Sequence, residues 1–285
     1  MKVVATFLLL VLFIHEPASP KPLAKAGRQD PVPPVVDPIH QPFEAILDVY
    51  VRDGLVYYRA LKSERARFDR YVAALAATSA DTVNSWPANR QLAFWINAYN
   101  AFVLQTVIDN YPIRGRAPDF PAISIRQIPG AFERRPHRAG GRTFTLDALE
   151  RDVIAGFGDP RALLALGRGA LGGGRLKSEA YTSERLDAQL TTITSELVER
   201  RELVFVDIQN GLLSVNPLFS WREAAFVKLA DRAPEVFNTR SPLERAVLAL
   251  INPLLVPNEA EFLSKNTFRM AFHTFDWALN DLTGR

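Results

Sequence analysis

Asn97 and Asn100 stand three residues apart in the most apolar stretch of the chain, so on a helix they share a face. Asparagine is a poor helix former. A buried amide without a partner costs about 1–3 kcal/mol. Each therefore needs a partner, either a bound ligand or the backbone of a neighbouring loop. A second candidate lies at 167–174, where five of the 15 glycines stand beside Arg168, Arg175 and Lys177. Exposed backbone N–H groups and cations together can hold an anion. Asn97, Asn100, Arg168, Arg175 and Lys177 are the candidate binding residues. Gly167-Arg168-Gly169-Ala170-Leu171-Gly172 also spells G-x-G-x-x-G. The dinucleotide fingerprint requires a helix opening at those glycines, and the next helical pattern begins only near Thr182. No cofactor is expected.

Glu150 is the candidate catalytic carboxylate. Such a group needs an apolar or charged setting that tunes it. Its neighbours Leu149, Arg151 and Asp152 suit a surface ion pair equally well. Ser178 and Thr182, just past the glycines, are the oxygen nucleophiles that could work beside it in a hydrolase or transferase. His137 and His273 are far apart and have no ligand at metal spacing, and His15 and His40 precede the folded part, so no metal site is expected. The chain has no cysteine, which excludes disulfides, thiolate metal sites and a catalytic thiol.

Several separated motifs carry a family resemblance. Leu92 to Ala101 reads LAFWINAYNA and is followed by Tyr111-Pro112-Ile113. Before it stands Gly54-Leu55-Val56-Tyr57-Tyr58. After it come Ser124-Ile125-Arg126, Thr145 to Glu150, Asp159-Pro160-Arg161, Ala180-Tyr181-Thr182 and Phe275-Asp276-Trp277. In this order they resemble the uncharacterised family numbered 547 among the domains of unknown function, over roughly residues 43–285. Family members commonly carry cysteines where this chain has Arg168 and Gly173, and a histidine where it has Arg151. A Cys–His–acid mechanism, one reading of the family, would need a thiolate and a base within hydrogen-bonding reach. This chain has neither, so the resemblance implies a cysteine-less, divergent member.

The elements that must position these residues are legible as periodicities. Phe43, Ile46, Leu47, Tyr50 and Val51 predict a helix, as do Phe68, Tyr71, Val72 and Leu75. Asn89 to Tyr111, stopped by Pro112, is apolar around nearly its whole circumference and should run through the core. Gly140-Gly141 predicts a hairpin, and Asn210-Gly211 between Leu203–Ile208 and Leu212–Val215 predicts a stronger one. Leu146 to Ile154 and Leu186 to Leu197 read as helices, the latter capped near Thr182 or Ser183. Leu163 to Leu166 could be a strand. Ser241-Pro242-Leu243-Glu244 is a capping box, and Phe268, Met270 and Phe272 alternate as a strand does. The class is α+β: a mainly helical single domain, 43–285, with a small antiparallel sheet built from hairpins.

Ahead of it, Met1-Lys2 and the apolar run Val3–Ile14 fit a signal peptide, residues 1–18. A spanning helix needs about 20 residues, whereas a signal core needs roughly 7–15. Residues 19–42 hold most of the eight prolines between Pro17 and Pro42 and read as a tether. The expected location is secreted or periplasmic, with no transmembrane segment after signal removal. Lys and Arg number 34 against 31 acidic residues, a net charge of +3. That scattered excess argues against nucleic acid. The expected partner is a small molecule, a peptide or an envelope component. The expected role is binding, with the Glu150 hydrolase or transferase as the alternative.

Overall fold

The computed structural model describes residues 37–283. The residues read as a signal peptide, 1–18, and most of those read as a tether lie outside the described residues. Ala88–Asn110 forms one helix with 16 buried residues, among them Phe94, Ile96, Tyr99, Phe102 and Val107. Pro87 sits at its N-cap. A helix this apolar on every side is stable only when other elements cover it. The helices Tyr58–Ser63 and Ala66–Ala77 pack on it, and Gln41–Tyr50 packs on those two.

The packed chain begins earlier than the prolines suggest. His40, read as part of the tether, is 2% exposed and hydrogen-bonds Tyr71 (2.8 Å). Asp37 pairs with Arg90 at the start of the central helix (2.5 Å).

Two hairpins form where glycine permits them. Gly140 and Gly141 have φ of 54° and 69° and join His137–Ala139 to Arg142–Phe144. Both central residues of such a turn need positive φ. Val204–Asp207 pairs antiparallel with Leu212–Val215. In its turn Gly211 has φ of 65°, and Asp207 accepts from the Asn210 backbone (3.1 Å). Arg269–Phe272 then adds to Leu212–Val215 in parallel, so this sheet is mixed rather than purely antiparallel. The capping box at Ser241 opens the helix Pro242–Ile251.

Three local expectations are corrected. The helix Leu186–Glu199 starts behind Arg185, not at Thr182 or Ser183. Leu163 and Leu164 belong to the helical turn Arg161–Leu164, not to a strand. The segment after Thr145 is not one regular helix: a turn, Leu146–Ala148, leads into a π-helical turn, Leu149–Val153, and a 3-10 turn, Ile154–Phe157.

The far end of the described chain closes on its beginning. Asn280 accepts from the Tyr58 hydroxyl (2.7 Å) and donates to the Gly54 carbonyl (2.7 Å), and its own carbonyl accepts from Val56 N–H (2.9 Å). The architecture is α+β and mainly helical. No helix among the described residues is long and apolar enough to cross a membrane.

Candidate functional site

The two amides of the central helix turn inward. Asn97 donates to the Tyr181 carbonyl and accepts from the Tyr181 N–H, both at 2.9 Å. Asn100 donates to the Ala165 carbonyl (3.2 Å) and accepts from the Gly167 N–H (2.8 Å). Each thus closes a ring with the main chain of a loop, and together they fix the chain on both sides of the glycine stretch.

That stretch is packed backbone. The Gly172 N–H donates to the Asp276 carbonyl (2.9 Å) and the Leu171 N–H to the Ala278 carbonyl (2.9 Å). Arg200 donates to the Gly173 carbonyl (3.1 Å) and the Leu171 carbonyl (2.9 Å). A Cβ on Gly174 would lie 1.8 Å from the Leu164 carbonyl oxygen. The glycines therefore serve close packing, and the backbone donors are spent. Nor do the three cations converge. Lys177 pairs with Glu196 (2.6 Å), Arg175 is exposed, and Arg168 is 3% exposed inside the protein.

Arg168 instead meets Glu150. Its Nη2 donates to Glu150 Oε1 at 2.5 Å, and its Nη1 reaches the carbonyls of Leu163 (3.4 Å) and Leu166 (3.3 Å). Glu150 is 4% exposed, so it is no surface carboxylate. The π-helical turn explains its aim. Leu149, Glu150 and Val153 face inward while Arg151 and Asp152 are exposed. Such turns recur at functional sites. Glu150 Oε2 accepts from the Tyr99 hydroxyl (3.3 Å). Burial first, and the Glu150 charge second, raise the Tyr99 phenol well above its usual range, so it stays protonated as a donor. Burial pulls the Arg168 guanidinium down, but the Glu150 charge, Tyr99 and the hydrogen bond to Glu150 together outweigh it, and it stays charged. Arg222 Nε lies 3.3 Å from Glu150 Oε1 without hydrogen-bond alignment, and its Nη2 pairs with Asp147.

Glu150 and Arg168 form the floor of a cavity of about 360 Å³, walled by Arg126, Phe132, Glu133, Asp147, Trp221, Arg222 and Trp277. None of these is Ser, Thr, Cys or His. Thr182 is buried beside Arg185 and Gln189, and Ser178 is exposed; neither lines this cavity. Arg151 pairs outside with Asp147 (2.6 Å) and Asp152 (2.7 Å). Among the described residues no group of three or more acidic or histidine side chains could hold a metal ion.

Sequence reasoning thus found the floor, Glu150 and Arg168, but not that they touch. It missed Tyr99, Arg126, Asp147, Trp221 and Arg222. Trp221-Arg222, an aromatic and a cation side by side just past the Asn-Gly hairpin, was the available signal.

A larger groove, about 1030 Å³, runs between the helices Gln41–Tyr50 and Ala66–Ala77. Its charges are tied to one another, as in Arg65 with Asp69 and Asp109 (both 2.9 Å). It has no counterpart to the buried Glu150 cluster.

Fold and site define a mainly helical α+β domain with a polar pocket set on a buried Glu–Arg pair. Residues 83–198 match the model of a family described as "Protein of unknown function, DUF547". The resemblance read from the motifs therefore stands over the segment that carries Asn97, Asn100, Glu150 and Arg168, here without a cysteine. No curated protein and no solved structure matches the chain.

Proposed function

We propose that this domain acts by binding a small ligand in the Glu150–Arg168 pocket, and that it does so outside the cytoplasm. One observation carries the first part: Arg168 is locked to Glu150 at 2.5 Å with both side chains buried, at a position where the motif resemblance implies a cysteine. The Glu150 carboxylate is engaged by two guanidiniums, Arg168 Nη2 at 2.5 Å and Arg222 Nε at 3.3 Å. The lining offers no nucleophile for it to activate as a base. What the pocket does offer is concavity, aromatic walls and a few fixed polar groups, the features of a binding site.

The test is a hydrolase and transferase panel on purified protein, run beside ligand binding read by tryptophan fluorescence. Binding without turnover is expected. Turnover that disappears in a folded Glu150→Gln variant would overturn the reading and restore the carboxylate enzyme. The location rests on the apolar run Val3–Ile14 behind Lys2. Mass spectrometry of protein from its native cell should find the N-terminus removed; an intact Met1 on cytoplasmic protein would contradict it.

A further inference from the structure

Arg126 and Arg222 are incompletely satisfied. The Nε of each is buried and has no hydrogen-bond partner among the described residues. Both side chains wall the Glu150 cavity. Each makes an ion pair through another nitrogen, Arg126 Nη1 with Glu133 (2.5 Å) and Arg222 Nη2 with Asp147. A charged donor without an acceptor is costly; Arg222 Nε keeps the Glu150 charge at 3.3 Å, so Arg126 is the less satisfied of the two. The lining is also charge-balanced, with three arginines against Glu133, Asp147 and Glu150. An anion would face three carboxylates there, and a cation three guanidiniums. A wholly apolar ligand would leave the charged wall of the cavity without partners. A neutral ligand whose groups both accept and donate meets every requirement, and hydroxyls do so.

The aromatic wall narrows the class further. Trp221 is 38% exposed and stacks on Trp277, ring centres 5.7 Å apart and planes 8° from parallel. Phe275 leans on both, at 4.8 and 4.4 Å. A second cavity, about 640 Å³, shares these two tryptophans and brings Asp119 and Asp276 to its edge. The two tryptophans thus border both cavities, with charged side chains lining each of them. Polarised C–H groups of a sugar ring suit the negative face of an indole, while the ring's hydroxyls point sideways to charged partners.

We propose that the ligand is a neutral oligosaccharide laid against Trp221, with one ring in the Glu150 cavity. Its hydroxyls accept from Arg126 and Arg222 and donate to Asp147. This rests on the reading of the pocket as a binding site.

The experiment is titration of intrinsic tryptophan fluorescence at low and high salt. The probes are β-1,4-linked glucose and N-acetylglucosamine oligomers, α-1,4-linked glucose oligomers, a proline-rich peptide and a sulfated polysaccharide. At least one neutral oligomer should give a saturable change that salt does not weaken, because no ion pair forms. Trp221→Ala and Asp147→Asn, both shown folded by circular dichroism, should each weaken it by about tenfold or more. Binding retained in both variants would overturn the proposal. Binding of only the peptide or the sulfated polymer would overturn the sugar class and leave the binding reading standing. Silence from every probe, with turnover that depends on Glu150, would remove both.

Discussion

Asn97 and Glu150 show how differently two buried polar residues can be used. Asn97 satisfies both backbone groups of Tyr181 and is 1% exposed. Asn97→Leu should therefore destabilise the protein by at least the about 1–3 kcal/mol of one orphaned group, read by urea unfolding. An unchanged midpoint would mean that water replaces the amide. Glu150 opposes two guanidiniums, whereas Arg168 opposes one carboxylate that Arg222 also faces. Removing one member of a buried pair costs about 3–5 kcal/mol because the other is left uncompensated. Glu150→Ala should sit at the upper end of that range. Arg168→Met should cost less, since Glu150 keeps Arg222. The reverse order in denaturant melts would show that Arg222 does not share the carboxylate.

Among the elements, the hairpin at Gly140 is tied to the core by more than its turn. Gly140 has φ of 54°, and a Cβ there would lie 2.7 Å from the Trp95 ring. Gly140→Ala should cost more than the about 0.4–1 kcal/mol typical of backbone-entropy effects, because strain and overlap add. The companion Gly158→Ala keeps a positive φ of 82° but has open space around it, so it should cost less. Equal losses in thermal unfolding would mean that the Trp95 contact relaxes freely. The π-helical turn matters in another way. By turning Glu150 inward and Arg151 outward within one segment, it decides which charge the pocket holds.

For the molecule as a whole, acid should act through two buried histidines. Burial lowers the His40 pKa to about 4, with Asp37 opposing and Arg90 assisting. Burial, then Arg135, lowers the His137 pKa to about 4, with Asp109 opposing. Between about pH 6.5 and 4 the unfolded chain binds protons that the folded chain refuses. Stability is therefore complete above that window and falls as pH drops through it, by about 3 kcal/mol per histidine at most. Chemical denaturation from pH 8 to 4 should show the decline, and His40→Asn should flatten it. A flat profile in the parent protein would mean that both imidazoles accept protons within the fold.

The sequence by itself determined the helices with apolar faces, the two glycine hairpins, the Ser241 cap and the core position of Ala88–Asn110. These follow from sterics and periodicity among near neighbours, so a short window contains their cause. It also marked Glu150 and Arg168, because a known pattern of motifs passes through them. Only the tertiary structure decided what those residues do. Their contact spans 18 positions, and Tyr99, Arg222 and Trp277 arrive at the same cavity from segments far apart in the chain. Only the adjacent Trp221 sets Arg222 apart locally from other arginines, and nothing local distinguishes Lys177, paired with Glu196, from a free cation. The parallel docking of Arg269–Phe272 on Leu212–Val215 was hidden for the same reason. Alternation specifies a strand and the face it buries, but its partner and direction are set by which edge the packed helices leave open.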